Sequence, residues 1–496
     1  MKRIISLSIL SLPQLLFAQS DMTVAERAYI HADQIAPIFS QSYADPAVNQ
    51  LRDSVSLSNI EIGYKSRRES EALSVQLGDG KDFFQASART YIKHGLSTLW
   101  GRALYNNGSI RGTIWNESAD ADLIYPYLTA DSVGGDMKYE RYFFAGGYAD
   151  RRGRWLWGAE LSYDAGLYYR DIDPRPRNVT GRLDISAGVG YKVGRSVIAV
   201  DVKMRKYKQT NDIKFVSEMG KSKEYHLTGL GNHYARFAGE GESSYFDGYR
   251  YGIAADLYPI EGEGAVLSVD MSRFKFKKVL TALNKLPLCR AWHNAMSLSA
   301  GWKSDRWGVA ARFEAYRRHG VESLFGDATS GIYPQIGEIE MYADNHYTAA
   351  IEGVYQIKAA SATSVAIAPY AAYIHRSTIY ADPASERLLN SVSASMSLSA
   401  RSLINGCWML DCRLAGAIDK PVESRLSIPE QTALTGIEIR DFAIAGRNSG
   451  SVEMRVAALR SLNDRFAIGV DGSYRRGFYT QGISTNQFEV SVKLIF

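Results

Sequence analysis

With 496 residues, 22% of them charged and a net charge of +5, the chain is long enough for a large fold and carries no strong charge bias, which argues against nucleic acid as a partner. Tyr (31) and Gly (43) are abundant, and Pro (13) is scarce. The three cysteines, Cys289, Cys407 and Cys412, are too few for a disulfide framework and read as unpaired thiols. Cys407 and Cys412 fall on one expected strand at odd separation, so they face opposite sides.

Lys2 and Arg3 precede a short apolar stretch from Ile4 to Phe17, which Ser6, Ser8, Ser11 and Pro13 interrupt. The small Ala18 follows. This is the pattern of a secretory signal peptide over residues 1–18, too short and broken to cross a bilayer. Its removal leaves 56 basic against 53 acidic side chains. Nothing downstream approaches the roughly 18 unbroken apolar residues of a membrane helix, so the exported chain is expected to be periplasmic, secreted or an outer-membrane barrel. Residues 19–54 lack strand alternation and are expected to form a periplasmic arm or a small lumen insert. Residues 55–118 hold up to five strands, including a hairpin at Asn106-Asn107-Gly108.

The segment from Trp115-Asn116-Glu117 through Tyr125-Pro126-Tyr127 to Asp136 is rich in carboxylates and aromatics. Such groups could hold a cation or a sugar, but the carboxylates lack calcium-loop spacing, and an ordered surface loop is expected. From Tyr139 the chain alternates between apolar and polar residues with period 2, segment after segment. Leu183, Ile185, Ala187 and Val189 oppose Arg182, Asp184 and Ser186. Ile198, Val200, Val202 and Met204 oppose Asp201, Lys203 and Arg205. Tight turns such as Arg151-Arg152-Gly153-Arg154 and Leu462-Asn463-Asp464 take turns with long polar connections near 109–138, 206–246, 317–345 and 419–449. Fifteen strands fit this stretch.

Phe488, Val490, Val492, Leu494 and Phe496 form one apolar stripe on the last strand, with Glu489, Ser491 and Lys493 opposite. In a transmembrane barrel such a stripe faces lipid and its opposite faces a wet lumen. No fixed internal repeat supports a β-helix or propeller. The expected fold is therefore all-β, an antiparallel up-and-down transmembrane β-barrel of about 18 strands (range 16–20) over residues 55–496, with long loops outside and tight turns in the periplasm.

If the apolar stripes meet lipid, the lumen is lined by Arg182, Asp184, Lys192, Asp201, Lys203, Arg205, Arg250, Asp256, Arg312, Glu314, Glu352, Asp411, Arg413, Glu453, Arg455, Asp471, Glu489 and Lys493. These charges either set solute selectivity or pair with one another, and Arg312 with Glu314, Asp411 with Arg413 and Glu453 with Arg455 suit pairing. His226 and His233 flank Gly229-Leu230-Gly231 in what reads as a solvated loop. No further ligand supports a metal or haem there, and no cofactor is expected. His319, His346 and His375 lie near strand ends without an evident nucleophile, so no catalytic residue is assigned and an enzyme at the barrel rim is a minor alternative.

A C-terminal strand ending in Phe resembles the assembly signal of Gram-negative outer-membrane barrels, which implies the barrel-assembly machinery and outer-membrane lipid as partners. Leu99-Trp100-Gly101, Tyr105-Asn106-Asn107-Gly108, Trp115-Asn116-Glu117, Tyr125-Pro126-Tyr127, Asp173-Pro174-Arg175-Pro176 and Thr228-Gly229-Leu230-Gly231 are similar to an uncharacterised family of Bacteroidota outer-membrane β-barrels. In size the chain more distantly resembles porin and long-chain fatty-acid transporter barrels. The resemblance implies a location and a fold without a substrate. A channel or passive transporter for a small solute is the favoured expectation. The alternative is a plugged barrel that captures a ligand or serves a TonB-dependent uptake receptor as an accessory.

Overall fold

The computed structural model describes residues 22–217, 222–237, 239, 243–260, 262–281, 283, 285–328, 332–360, 362–429 and 432–496. The expected signal peptide and its cleavage near Ala18 lie outside the described residues. Eighteen antiparallel strands follow one another around a single closed sheet. In chain order they are β1 (Leu57–Glu69), β2 (Gly80–His94), β3 (Ser97–Thr113), β4 (Gly135–Arg152), β5 (Trp155–Tyr169) and β6 (Arg175–Val193). Next come β7 (Ser196–Lys214), β8 (Ser244–Pro259), β9 (Gly264–Leu280), β10 (Leu286–Lys303), β11 (Trp307–Phe325) and β12 (Gln335–Ala360). The last six are β13 (Thr363–Tyr380), β14 (Ser385–Ile404), β15 (Trp408–Ser427), β16 (Ser449–Ser461), β17 (Ala467–Tyr479) and β18 (Ser484–Ile495). Closure comes from β18 pairing with β1, from Asn59 opposite Ile495 to Glu69 opposite Thr485.

Alternation dictates the two faces. On β7, Ile198 (51% exposed), Val200, Val202 and Met204 point outward, while Ala199 and Asp201 are buried inside. The same holds on β18, where Phe488, Val490, Val492 and Leu494 are exposed on the outer wall and Phe496 closes the strand end beside Phe466. An apolar outer wall on this scale is the mark of a lipid-facing surface. Trp155, Trp157, Trp302, Trp307, Tyr355 and Trp408 rim it near the tight turns, and Tyr251, Tyr347, Tyr373 and Tyr474 stand further toward the long connections. Many strands exceed the roughly 9–11 residues needed to span a bilayer. The excess lengthens the barrel at its long-connection end, hereafter the loop end.

The hairpin expected at Asn106-Asn107-Gly108 is absent: all three lie inside β3, opposite Gln85, Phe84 and Phe83 of β2, and the turn falls at Gly95-Leu96. An Asn-Gly pair usually supplies a turn. Here Gly108 serves close approach instead, since a Cβ there would stand 1.9 Å from the Asp82 carbonyl oxygen. Three strands, not five, therefore occupy 57–113. Cys407 also sits in the turn before β15 rather than on the strand with Cys412, and all three cysteines are free. Gly108→Ala should destabilise the barrel by about 1–3 kcal/mol through that clash. Urea unfolding in vesicles would register it as a lower midpoint, and an unchanged midpoint would contradict the packing described.

Candidate functional site: a lumenal chamber beside the inner plug

Residues 22–54 enter the barrel at its tight-turn end. Thr23 caps helix α1 (Val24–His31) in a capping box with Glu26, and Ala25 N–H donates to Ser461 Oγ at 2.9 Å. Val24, Ala25 and Ala28 pack on Leu459, Ala467 and Ile495 of the wall. The chain then crosses the lumen. Ile35, Ile38, Phe39, Ala47 and Val48 pack on inward side chains that include Leu156, Ala199, Tyr258, Val266, Ala310 and Val354. The wall makes room with glycine: a Cβ on Gly158 would lie 2.4 Å from the Pro46 carbonyl oxygen. The inner residues on this level are small or apolar because they serve as a core.

Between this plug and β1–β5 lies a chamber of about 750 Å³. Arg89 of β2 and Arg102 of β3 stand directly opposite each other and open into it. Neither makes an ion pair among the described residues, and Arg102 rests over the Phe143 ring at 5.4 Å. Trp100 donates its Nε1–H to Glu160, fixing an aromatic face on the same wall. On the plug side, Arg52 pairs with Asp53 at 2.6 Å and covers Tyr91, whose hydroxyl donates to the Asn49 carbonyl oxygen at 3.0 Å. The chamber thus joins two guanidinium groups without ion-pair partners to aromatic surface, with Asp33, Asp53 and Glu160 also on its lining.

Asp45, at the start of helix α2 (Pro46–Asn49), meets Asp201 and Asp256 with oxygen atoms of all three within 4.8 Å of one another. Burial, with Asp201 next, pushes the Asp45 carboxyl up to about 7. Lys203 stands 3.5 Å from Asp201. An all-oxygen set of this kind has the chemistry of a hard divalent cation or of a shared proton.

The loop end is closed by connections that turn inward. Residues 114–134, the hairpin formed by Glu224–Gly229 and Asn232–His233, and helix α4 (Ala433–Ala445), numbered after the short α3 (Ala121–Ile124), form the second plug. Trp115, Ile124, Tyr127, Leu128, Leu227 and Leu434 pack on Tyr207, Phe246, Phe274, Phe276, Cys289 and Ala291 of the wall. Thr129–Asp131 extends the hairpin into a three-stranded sheet. Inside it, Arg170 (1% exposed side chain) reaches Asp131 at 2.7 Å, Glu117 at 3.2 Å and the Pro174 carbonyl oxygen at 2.8 Å. Burial, with Glu224 and Asp131 next, holds Glu117 well above the usual carboxylate range.

Two expectations are corrected here. The 115–136 segment is an interior plug and not a surface loop, because its apolar residues meet inward aromatics on β7–β9. His226 is likewise not solvated: it is 1% exposed, and burial beside Lys278 holds its imidazole well below its ordinary range.

Strand alternation places Arg182, Asp184, Asp201, Lys203, Arg205, Arg250, Asp256, Arg312, Glu314, Glu352, Asp411, Arg413, Glu453, Arg455, Asp471, Glu489 and Lys493 on the inner face. Many join a belt of ion pairs between the plugs. Arg182 bridges Asp164 and Asp184, Lys203 reaches Asp270 at 2.6 Å, and Lys65 reaches Glu489 at 2.7 Å. The partners differ from those suggested by spacing alone: Arg312 takes Glu352 at 2.6 Å, Asp411 takes Arg401 at 2.6 Å, and Arg455 takes Asp471 at 2.7 Å. Same-strand neighbours two apart are about 7 Å distant, farther than a residue across the ladder. Arg89, Arg102, Arg141, Asp164, Arg170 and Asp45 escaped the sequence reading. A hairpin misplaced at Asn106 splits β3 and hides the Arg89–Arg102 pair.

A closed eighteen-stranded sheet with an apolar outer belt and a lumen occupied by its own chain defines an outer-membrane β-barrel. The chain belongs to the family of unknown function DUF6850, whose model matches residues 46–496. No curated protein sequence matches it. Among solved structures it is similar in fold to the copper transporter OprC (8% identity, TM-score 0.43, covering 88% of this chain and 80% of that one). It is similar to the ferric citrate transporter FecA in its unliganded form (10%, 0.37, 88% and 78%). BauA, the ferric preacinetobactin receptor from Acinetobacter baumannii, gives 9%, 0.40, 89% and 80%.

Arg170→Met should cost about 3–5 kcal/mol, since it strands two buried carboxylates. Adding Glu117→Gln and Asp131→Asn should restore part of that loss in the same urea titration. A triple variant no more stable than Arg170→Met would contradict the charge account.

Proposed function

We propose that this outer-membrane barrel takes a small, multiply charged anion into its lumenal chamber and holds it there, between the inner plug and the wall. Its long connections face the cell exterior. The observation that carries the reading is the juxtaposition of Arg89 and Arg102, paired directly across β2 and β3 with no carboxylate partner among the described residues. Like charges directly opposite each other on a sheet repel, and a barrel that only needed a stable wall would neutralise them, as it does along the Asp164 and Asp471 ion pairs. Two guanidinium groups side by side are suited to bidentate contacts with carboxylate or phosphate. Trp100 and Phe143 beside them favour an anion with a flat or apolar part. The plugs support capture over free diffusion, because apolar packing fills the lumen beside the chamber and again at the loop end.

Isothermal titration of the detergent-folded barrel with small mono-, di- and tricarboxylates and inorganic phosphates tests this. Di- or trianions should bind, and Arg89→Gln with Arg102→Gln should weaken them at least tenfold, about 1.4 kcal/mol, without altering heat-modifiable migration. Silence across the series, or binding unmoved by the double substitution, would contradict the proposal.

A further inference from the structure

The outer wall carries a second feature that the lumen does not explain. Across β8–β12 one outward row runs Ile253, Met271, Met296, Ala315 and Tyr347, each residue directly opposite the next. Small Ala315 between two bulky neighbours opens an apolar groove of about 660 Å³. The next row toward the loop end runs Tyr251, Arg273, Asn294 and Arg317, and both arginines line the groove. Beyond them the outward positions are Lys275, Lys277 and, on β7, Lys208.

Acidic groups nearby are already engaged: Asp247 with Lys206, Glu338 with Arg290, and Glu340 with His319 at 2.5 Å. Arg273, Lys275, Lys277, Lys208 and Arg317 make no ion pair among the described residues. Arg273 and Arg317 are two strands apart, about 10 Å, a span that one phosphate can bridge with extended side chains. Arg273, Arg317 and Lys275 above an apolar slot, with Lys277 and Lys208 flanking Asp247 beyond them, are complementary to a lipid with an anionic head and long acyl chains.

We infer that this groove is a docking site for an acylated glycolipid of the outer leaflet, with an acyl chain between Met271, Met296 and Tyr347 and a headgroup phosphate held by Arg273 and Arg317. The inference rests on the outer-membrane placement and orientation proposed above. It does not depend on the chamber. A phosphomonoester is favoured because Arg presents a planar fork of donors to its net negative charge, whereas in a zwitterionic head the phosphodiester is offset by its own ammonium. A lipid seated there would staple β8 to β12 on the outside, opposite the wall that the loop-end plug braces on the inside.

Native mass spectrometry of the full barrel released from detergent tests it, with hexa-acyl lipid A, its dephosphorylated form and phosphatidylethanolamine as probes. The phosphorylated lipid A should survive at collision energies that strip the other two. Arg273→Gln with Arg317→Gln should reduce its retention at least tenfold while heat-modifiable migration stays unchanged. Arg273→Lys with Arg317→Lys should retain part of it. Equal retention of the dephosphorylated lipid, or full retention by the Gln variant, would overturn the site. Membrane fractionation separates the two levels: a chain absent from the outer membrane would fail the placement, whereas an outer-membrane chain without lipid selectivity would fail this inference alone.

Discussion

Closure of the sheet is the constraint on which everything else depends. In hydrocarbon, an unpaired backbone N–H or C=O costs several kcal/mol, so an open edge cannot persist there. Pairing β18 with β1, with Ile62 opposite Val492 and Tyr64 opposite Val490, removes both edges the sheet would have. Period-2 geometry then assigns every strand residue to lipid or to lumen. The outer face must be apolar over the bilayer depth. The inner face is free to vary with level, and it does.

Near the tight turns the inner face is small and apolar, at Gly158, Ala199, Ala310 and Ala366, and it receives residues 35–48. At mid-depth it is charged and internally paired. Toward the loop end it becomes aromatic, at Tyr207, Phe246, Phe274 and Phe276, and it receives residues 115–130. The lumen is therefore a stack of two cores separated by a polar belt. Much of the belt is balanced by cross-strand ion pairs. Arg250 and Arg413 stand opposite Arg205 and Arg455, each of which has a carboxylate partner, whereas in the Arg89–Arg102 pair neither side chain has one among the described residues, and that gives the chamber its character. Arg170 has the opposite setting in the outer plug, where one guanidinium pairs with Glu117 and Asp131 together.

Much of this was legible in the residues themselves. Stripes such as Ile198, Val200, Val202 and Met204 announce strand, lipid face and lumen face at once, because membrane strands cannot relax their alternation. The fifteen strands from Tyr139 onward follow from that. Three things were hidden for physical reasons. Asn107-Gly108 carries the residue signature of a turn, yet it answers to backbone crowding by Asp82, which only the β2–β3 register reveals. Ion-pair partners such as Arg312 and Glu352 depend on the same register and not on spacing along one strand. The inward folding of 114–134 was signalled by Phe274 and Phe276 on an otherwise polar stripe with Asp270 and Ser272, a break in pattern whose partner lies more than a hundred residues away.

The central claim is that the barrel rests shut, its lumen filled from both ends around a solute chamber. Single-channel recording of the folded wild-type protein in planar bilayers tests it most directly. No sustained conductance is expected at moderate voltage, with folding verified by heat-modifiable migration of the same sample. Stable, stepwise conductance from that material would show an open aqueous path and contradict it.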